Sequence, residues 1–203
     1  VRFGVNAGNS IASGGDYNTV VGDEAGTAIT TGDGNVFTGY ASGDALTLGS
    51  SNTAVGRDSL GADTKGNHSV AIGRNALTTQ NFTSATDAYN TAVGSSAGAA
   101  ITTGTFNTLI GGLSGDGATT ASYSTALGYG SLGGAMTGEG NVALGVNTLL
   151  VATSAHSNTA VGTSAMSSAT TGTNNVAVGR NALDANTTAS YNTALGYASL
   201  GAN

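Results

Sequence analysis

The chain lacks cysteine, proline and tryptophan altogether. Without cysteine there is no disulfide framework, no thiolate metal site and no cysteine nucleophile. Charge is scarce as well. Asp, Glu, Lys and Arg make up 8% of the 203 residues, against about 25% in an ordinary domain. Only five of them are Lys or Arg, which excludes the basic footprint of a nucleic-acid binder. No apolar run reaches the length of about 18 residues that a membrane-spanning helix needs. Large apolar side chains are also thin: Val, Leu, Ile and Phe number 37, few for a conventional core. Such a shortage combined with high net charge would mark a disordered chain. Here the net charge is only −6 and the mean hydropathy is +0.05, so that signature is incomplete. What the chain has in excess is glycine, 34 residues of 203.

The glycines are periodic. A block of the type Asn52-Thr53-Ala54-Val55-Gly56 recurs, with its glycine at Gly22, Gly39, Gly56, Gly73, Gly94, Gly111, Gly128, Gly145, Gly162, Gly179 and Gly196. Every spacing is 17 residues except the 21 between Gly73 and Gly94. A weaker copy, Phe3-Gly4-Val5-Asn6-Ala7-Gly8, precedes them. Residues 1–203 therefore read as a single repeat array of about 11–12 rungs, with a four-residue insertion within 78–88. The array begins at Val1 and stops inside a repeat at Asn203, so the chain is expected to be a segment of a longer protein. A second period of 34 overlies the first. Thr-Gly or Lys-Gly pairs with Gly32, Gly66, Gly104, Gly138 and Gly172 precede alternate blocks, and Val36, Val70, Val142 and Val176 stand where neighbouring blocks carry Thr. The coil is thus either 17 or 34 residues long.

Within a block the second position is Thr or Val, both β-branched and suited to strands. The fourth is Val, Ile or Leu except at Thr38, and the third is mostly Ala. In a strand, positions two and four face one way and position three the other. Both faces are then apolar or small, which predicts burial on both sides. One side is the interior of the coil. The other needs a second apolar surface, expected from another chain. A monomer would leave the third-position Ala, Val and Leu stripe exposed. The glycine after each strand implies a positive φ or a close backbone approach. The following x-x-Ala/Ser-Leu, as in Asp58-Ser59-Leu60 and Asn75-Ala76-Leu77, reads as a second short strand with Leu in the core. Gly26, Gly43, Gly98 and Gly115 replace that Leu, and Ile29 and Ile101 are candidates to fill the space in two of these copies. Seventeen residues are too few for a helical repeat but suit one turn of a narrow parallel β-solenoid. Such a coil holds its shape through neighbouring rungs without a globular core. Stacked Asn residues would form an amide ladder.

The run Asn-Thr-Ala-Val/Leu-Gly-x-x-Ala/Ser-Leu, from about Asn18 to Gly201, resembles repeats of bacteriophage tail fibres. Ser69-Val70-Ala71-Ile72-Gly73 is similar to the repeats in head domains of trimeric autotransporter adhesins. The period and the Thr-Thr-Gly linkers at 30–32, 102–104 and 170–172 are closer to the tail-fibre style. The resemblance implies an all-β homotrimeric β-roll: an extracellular fibre segment of a virion, or of a bacterial cell surface, used for attachment.

Candidate sites are few. His68 and His156 lie just before blocks with no Ser/Asp partner, and no carboxylate pair stands out for acid–base chemistry. No enzyme activity, cofactor or metal is expected. Gly32-Asp33-Gly34 and Gly115-Asp116-Gly117 lack the spacing of a calcium-binding solenoid. The position after the block glycine is the most variable, which implies exposure. Tyr40, Arg57, Arg74, Tyr129, Arg180 and Tyr197 occupy it and are either a solvated face or a glycan-contacting stripe. Tyr123 with Tyr129, and Tyr191 with Tyr197, flank single strands. Phe82, alone in the polar insertion, either packs onto the shaft or offers a contact. Three readings follow: a tail-fibre shaft contributing to host glycan recognition, an adhesin head, or a monomeric ice- or glycan-binding solenoid of 34-residue coils.

Overall fold

The computed structural model describes residues 2–201. The termini Val1 and Asn203 lie outside the described residues. The strands in chain order are β1 (Arg2–Phe3), β2 (Thr19–Val21), β3 (Val36–Thr38), β4 (Thr53–Val55), β5 (Gly66–Asn67), β6 (Val70–Ile72), β7 (Thr86–Asp87), β8 (Thr91–Val93), β9 (Thr108–Ile110), β10 (Thr125–Leu127), β11 (Val142–Leu144), β12 (Thr159–Val161), β13 (Val176–Val178) and β14 (Thr193–Leu195). All but β5 and β7 form one parallel sheet of 12 strands in chain order. Equivalent block positions pair directly, for example Thr53↔Val70, Ala54↔Ala71 and Val55↔Ile72. The fold is a parallel β-solenoid whose coil is 17 residues, not 34. Twelve strands at the usual spacing make a sheet roughly 50 Å long.

Only one side of the coil is a sheet. The expected second strand after each glycine is instead a run of turns. Asp58 and Leu60 have φ of 55° and 52°, and Asn75 and Leu77 have 59° and 49°. Two left-handed residues, two apart, bend the chain back within the short coil. The coil-to-coil hydrogen bonds persist there: the Leu60 N–H donates to the Ala76 carbonyl at 2.9 Å, and the Asn75 N–H to Arg57 at 2.9 Å. A leucine in this conformation costs about 1–2 kcal/mol. Full burial of the same side chain returns about 1.5–3 kcal/mol, so Leu60, Leu77, Leu132 and Leu149, all buried, are tolerated.

The interior is filled by volume compensation between two columns. Where the strand centre is Ala, the turn position is large, as in Ala54 with Leu60, Ala143 with Leu149 and Ala160 with Met166; the exception is Ala92 with Gly98, where Leu77 and Leu109 of the adjoining coils take the space. Where the strand centre is large, the turn position is glycine. A Cβ on Gly43 would lie 2.4 Å from the Phe37 ring, and one on Gly115 would lie 2.9 Å from Leu109. Ile29 and Ile101 fill the space as expected, and Leu46 does the same beside Gly43. The third block position is therefore the interior one, with Ala54, Ala71 and Ala126 fully buried. The expectation that this stripe faces outward in a monomer is incorrect. A narrow coil has room for a large strand centre only where glycine stands opposite, so most centres are Ala and the second and fourth residues take the outer face.

Two further columns fix the register. Each block Asn reaches inward and stacks on the last: the Asn52 side-chain amide donates to Asn35 Oδ1 at 3.2 Å and to the Gly66 carbonyl at 2.8 Å. The same Oδ1 accepts the Asn52 backbone N–H at 3.0 Å. The amide ladder expected from the sequence is thus present. The block glycines stack in contact. Gly73 has φ 133°, and a Cβ there would sit 2.3 Å from the Gly94 carbonyl oxygen. Positive φ and close approach both operate.

Candidate binding surface

Residues two apart along each strand share the outer face. The second and fourth block positions therefore make two parallel columns on one flat sheet. One is Thr interspersed with Val and the other is aliphatic except at Thr38. Ile72, Ile110, Leu127 and Val176 are exposed, and Leu195 is 79% exposed. At about 10 Å wide and roughly 50 Å long, the stripe covers on the order of 500 Å², at the upper end of what a monomer leaves open.

The variable column borders this stripe. Tyr40, Arg57, Arg74, Tyr129, Arg180 and Tyr197 are all exposed, as their variability implied. The Arg57 guanidinium lies 6.0 Å from the Tyr40 ring centre and pairs with Asp58 at 2.9 Å. Phe82 does not join them. It is 5% exposed, and of its two readings the packed one holds. Its backbone N–H donates to Asp63 Oδ1 at 3.2 Å, which draws the inserted segment onto the rod.

On the other side of the stripe lies a column that sequence reasoning did not assemble. His68, Tyr89, Phe106 and Tyr123 each occupy the position just before the block Asn or Ser. Their rings stack along the rod with centre distances of 4.9, 5.5 and 5.1 Å and interplanar angles of 6°, 23° and 4°. All four residues are exposed and adopt φ between 47° and 59°. His68 Nε2 also lies 3.7 Å from Asp87 Oδ1. Tyr123 stacks along the rod on Phe106; Tyr129 lies at the opposite end of β10. The signal available in sequence was the shared phase of these four aromatic residues.

The stack ends at Tyr123 because the next residue in the column is Gly140. A Cβ on Gly140 would meet only Ser157 Oγ, at 3.9 Å. Beside the open ring face is a shallow groove of about 600 Å³, lined by Tyr123, Glu139, Gly140, Ser154, His156 and Ser157 among others. Among the described residues, no group of three or more His, Cys, Asp or Glu side chains is placed to hold a metal ion.

Burial raises the pKa of two turn carboxylates, Asp44 and Asp116. Backbone hydrogen bonds oppose the shift in both, and the neighbouring Asp58 adds to it at Asp44.

Compared with protein-family models, with curated proteins and with solved structures, the chain finds no match.

Proposed function

We propose that this chain is a shaft segment of a homotrimeric fibre, of the kind found in phage tail fibres, that holds and contributes to host-surface recognition. The observation that carries this reading is the continuous outer stripe of Thr/Val and Val/Ile/Leu on a single flat sheet. In water it is a row of exposed and half-exposed aliphatic side chains. Packed around a threefold axis it becomes the shared core of three rods. The Thr and Val pairs along the second-position column suit such packing, since both are β-branched and similar in shape. The same column disfavours an ice-binding face: Val36, Val70, Val142 and Val176 interrupt its hydroxyls. An adhesin head would use the same packing, and the 17-residue period favours the tail-fibre style. The role is mechanical and adhesive rather than catalytic, in an extracellular setting, with other copies of this chain and a cell-surface glycan as partners.

The test is mass in solution, by light scattering coupled to size exclusion. The expected value is three times 19.4 kDa. Replacing Leu127 and Leu144 with Asp on the outer face is expected to yield monomers with the coil intact by circular dichroism. A wild-type monomer overturns the proposal.

A further inference from the structure

The aromatic column is a ladder with a missing rung. One face of the Tyr123 ring is covered by Phe106 at 5.1 Å, nearly parallel. Its other face looks toward Gly140, which has no side chain to offer. The residue is 61% exposed, and the groove of about 600 Å³ opens at this point. The polar groups around it are uncommitted. Neither the Glu139 carboxylate, the His156 imidazole nor the Ser154 and Ser157 hydroxyls bond to any described residue.

The other place where a tyrosine precedes a glycine in this column lacks these features. Tyr17 faces Gly34, but the Asp33 carboxylate there already accepts the Asp16 N–H at 2.7 Å, and the Asp33 N–H donates to Ser50 Oγ at 3.0 Å.

We infer that the gap after Tyr123 is a sugar-binding site, in which a neutral hexopyranose ring stacks on Tyr123 in place of the missing side chain and hydrogen-bonds to Glu139, His156, Ser154 and Ser157. A saturated ring presents C–H groups to the aromatic face and hydroxyls at its rim. A purely aromatic ligand would fill the stack but make no use of the four polar groups that line the groove. The one acidic side chain in the lining is Glu139, whose carboxylate repels acidic sugars and accepts from neutral hydroxyls. This inference rests on the attachment reading above for its ligand class, and it fixes where that contact is made.

Two variants test it. Tyr123→Ala removes the platform. Gly140→Tyr supplies the missing rung: tyrosines at the equivalent positions 17, 89, 123 and 191 adopt φ of 47–63°, and Gly140 has φ 68°. The probe is an array of oligosaccharides of neutral hexoses and N-acetylhexosamines, with hexuronic acid oligosaccharides alongside. Wild-type protein is expected to bind neutral members and not the acidic ones. Each variant is expected to weaken that binding by about tenfold or more, the scale of one lost ring contact and its hydrogen bonds. Gly140→Tyr should keep the wild-type melting temperature. The inference is overturned if wild-type binds no neutral sugar, or if Gly140→Tyr binds as well as wild type. A trimer that binds no sugar removes this site and leaves the shaft standing. A monomer whose sugar binding is lost in Gly140→Tyr does the reverse.

Discussion

Two stretches of the rod solve the same problem differently. From Asn141 to Asn192 the buried ladder is unbroken. Asn158 donates to Asn141, Asn175 to Asn158 and Asn192 to Asn175, at 3.1, 3.1 and 3.0 Å. Between Asn52 and Asn90 the ladder meets Ser69, whose side chain is too short to continue it. Gln80, from the far wall of the coil, fills the gap. Its amide donates to Ser69 Oγ at 2.9 Å and to Asp63 Oδ2 at 2.6 Å, and its carbonyl accepts from Asn90 at 2.9 Å. Asp63, fully buried, also accepts the N–H groups of Lys65, Gly66 and Phe82. The four-residue insertion lies in this stretch, where β5 and β7 pair outside the main sheet. The comparison shows that the coil does not require asparagine as such. It requires that every interior polar group find a partner, and irregular residues are accepted where they come as a mutually satisfied set.

The glycine column is common to both stretches, so breaking it should hurt both. Gly73→Ala and Gly162→Ala each bring a Cβ within 2.7 Å of the next glycine's backbone at φ above 120°. Strain and overlap together are expected to cost on the order of 3–5 kcal/mol in either place, read as a fall in chemical or thermal midpoint. Unequal losses would mean that one stretch bends to admit the methyl.

The polar interior should separate the stretches. Asn158→Ala strips partners from Asn175 and the Gly172 carbonyl. At about 1–3 kcal/mol per orphaned buried group, a loss of a few kcal/mol is expected. Gln80→Ala leaves Asn90 its bond to the Gly104 carbonyl at 2.7 Å, but it takes the donor from the buried Asp63 Oδ2 and the partner from the Ser69 hydroxyl. A bond to a carboxylate counts for more than one between neutral groups, so Gln80→Ala should be the costlier change by the same denaturation measurement. A reversed order would show that the ladder, not the patch, is the stronger joint.

The smallest effect concerns pH. Asp44 has a raised pKa in the folded protein, chiefly through burial. Its charged form therefore opposes folding above the ordinary carboxylate range. As pH falls through the raised folded value, protonation is taken up preferentially by the folded state and this penalty is relieved. Asp44→Asn should accordingly raise the melting temperature slightly at pH 7. The advantage should vanish below the ordinary aspartate pKa, where both states are protonated. An unchanged difference across that window would mean that packing, not charge, sets it.

Much of this architecture is written in the period. The 17-residue phase located every strand of the main sheet, the Asn ladder and the glycine column, because each depends on like residues stacking on like. Which strand face turns inward was not legible from polarity, since both faces are apolar. Size was the usable clue: Ala at the centre of a strand fits opposite Leu60 or Leu149, where Val or Ile would collide. The turns were read as strands because a left-handed leucine runs against local preference, and only the tight return of the coil imposes it at Leu60 and Leu77. Phe82 admits both a packed and an exposed reading from the sequence. It stands alone in a polar segment, and the Asp63 cluster it covers comes from an earlier coil. The aromatic column was hidden by attention to residues flanking one strand, when its members belong to successive coils.

The glycine column also sets a unit of length. Gly73 and Gly94 stack as closely as any other pair, although 21 residues separate them, because the extra residues leave the coil through the side. Any shift out of step would bring a side chain against a neighbouring carbonyl. A fibre built this way grows or shrinks in steps of one whole turn, about 4.8 Å at a time, and the reach of whatever it carries is counted in coils.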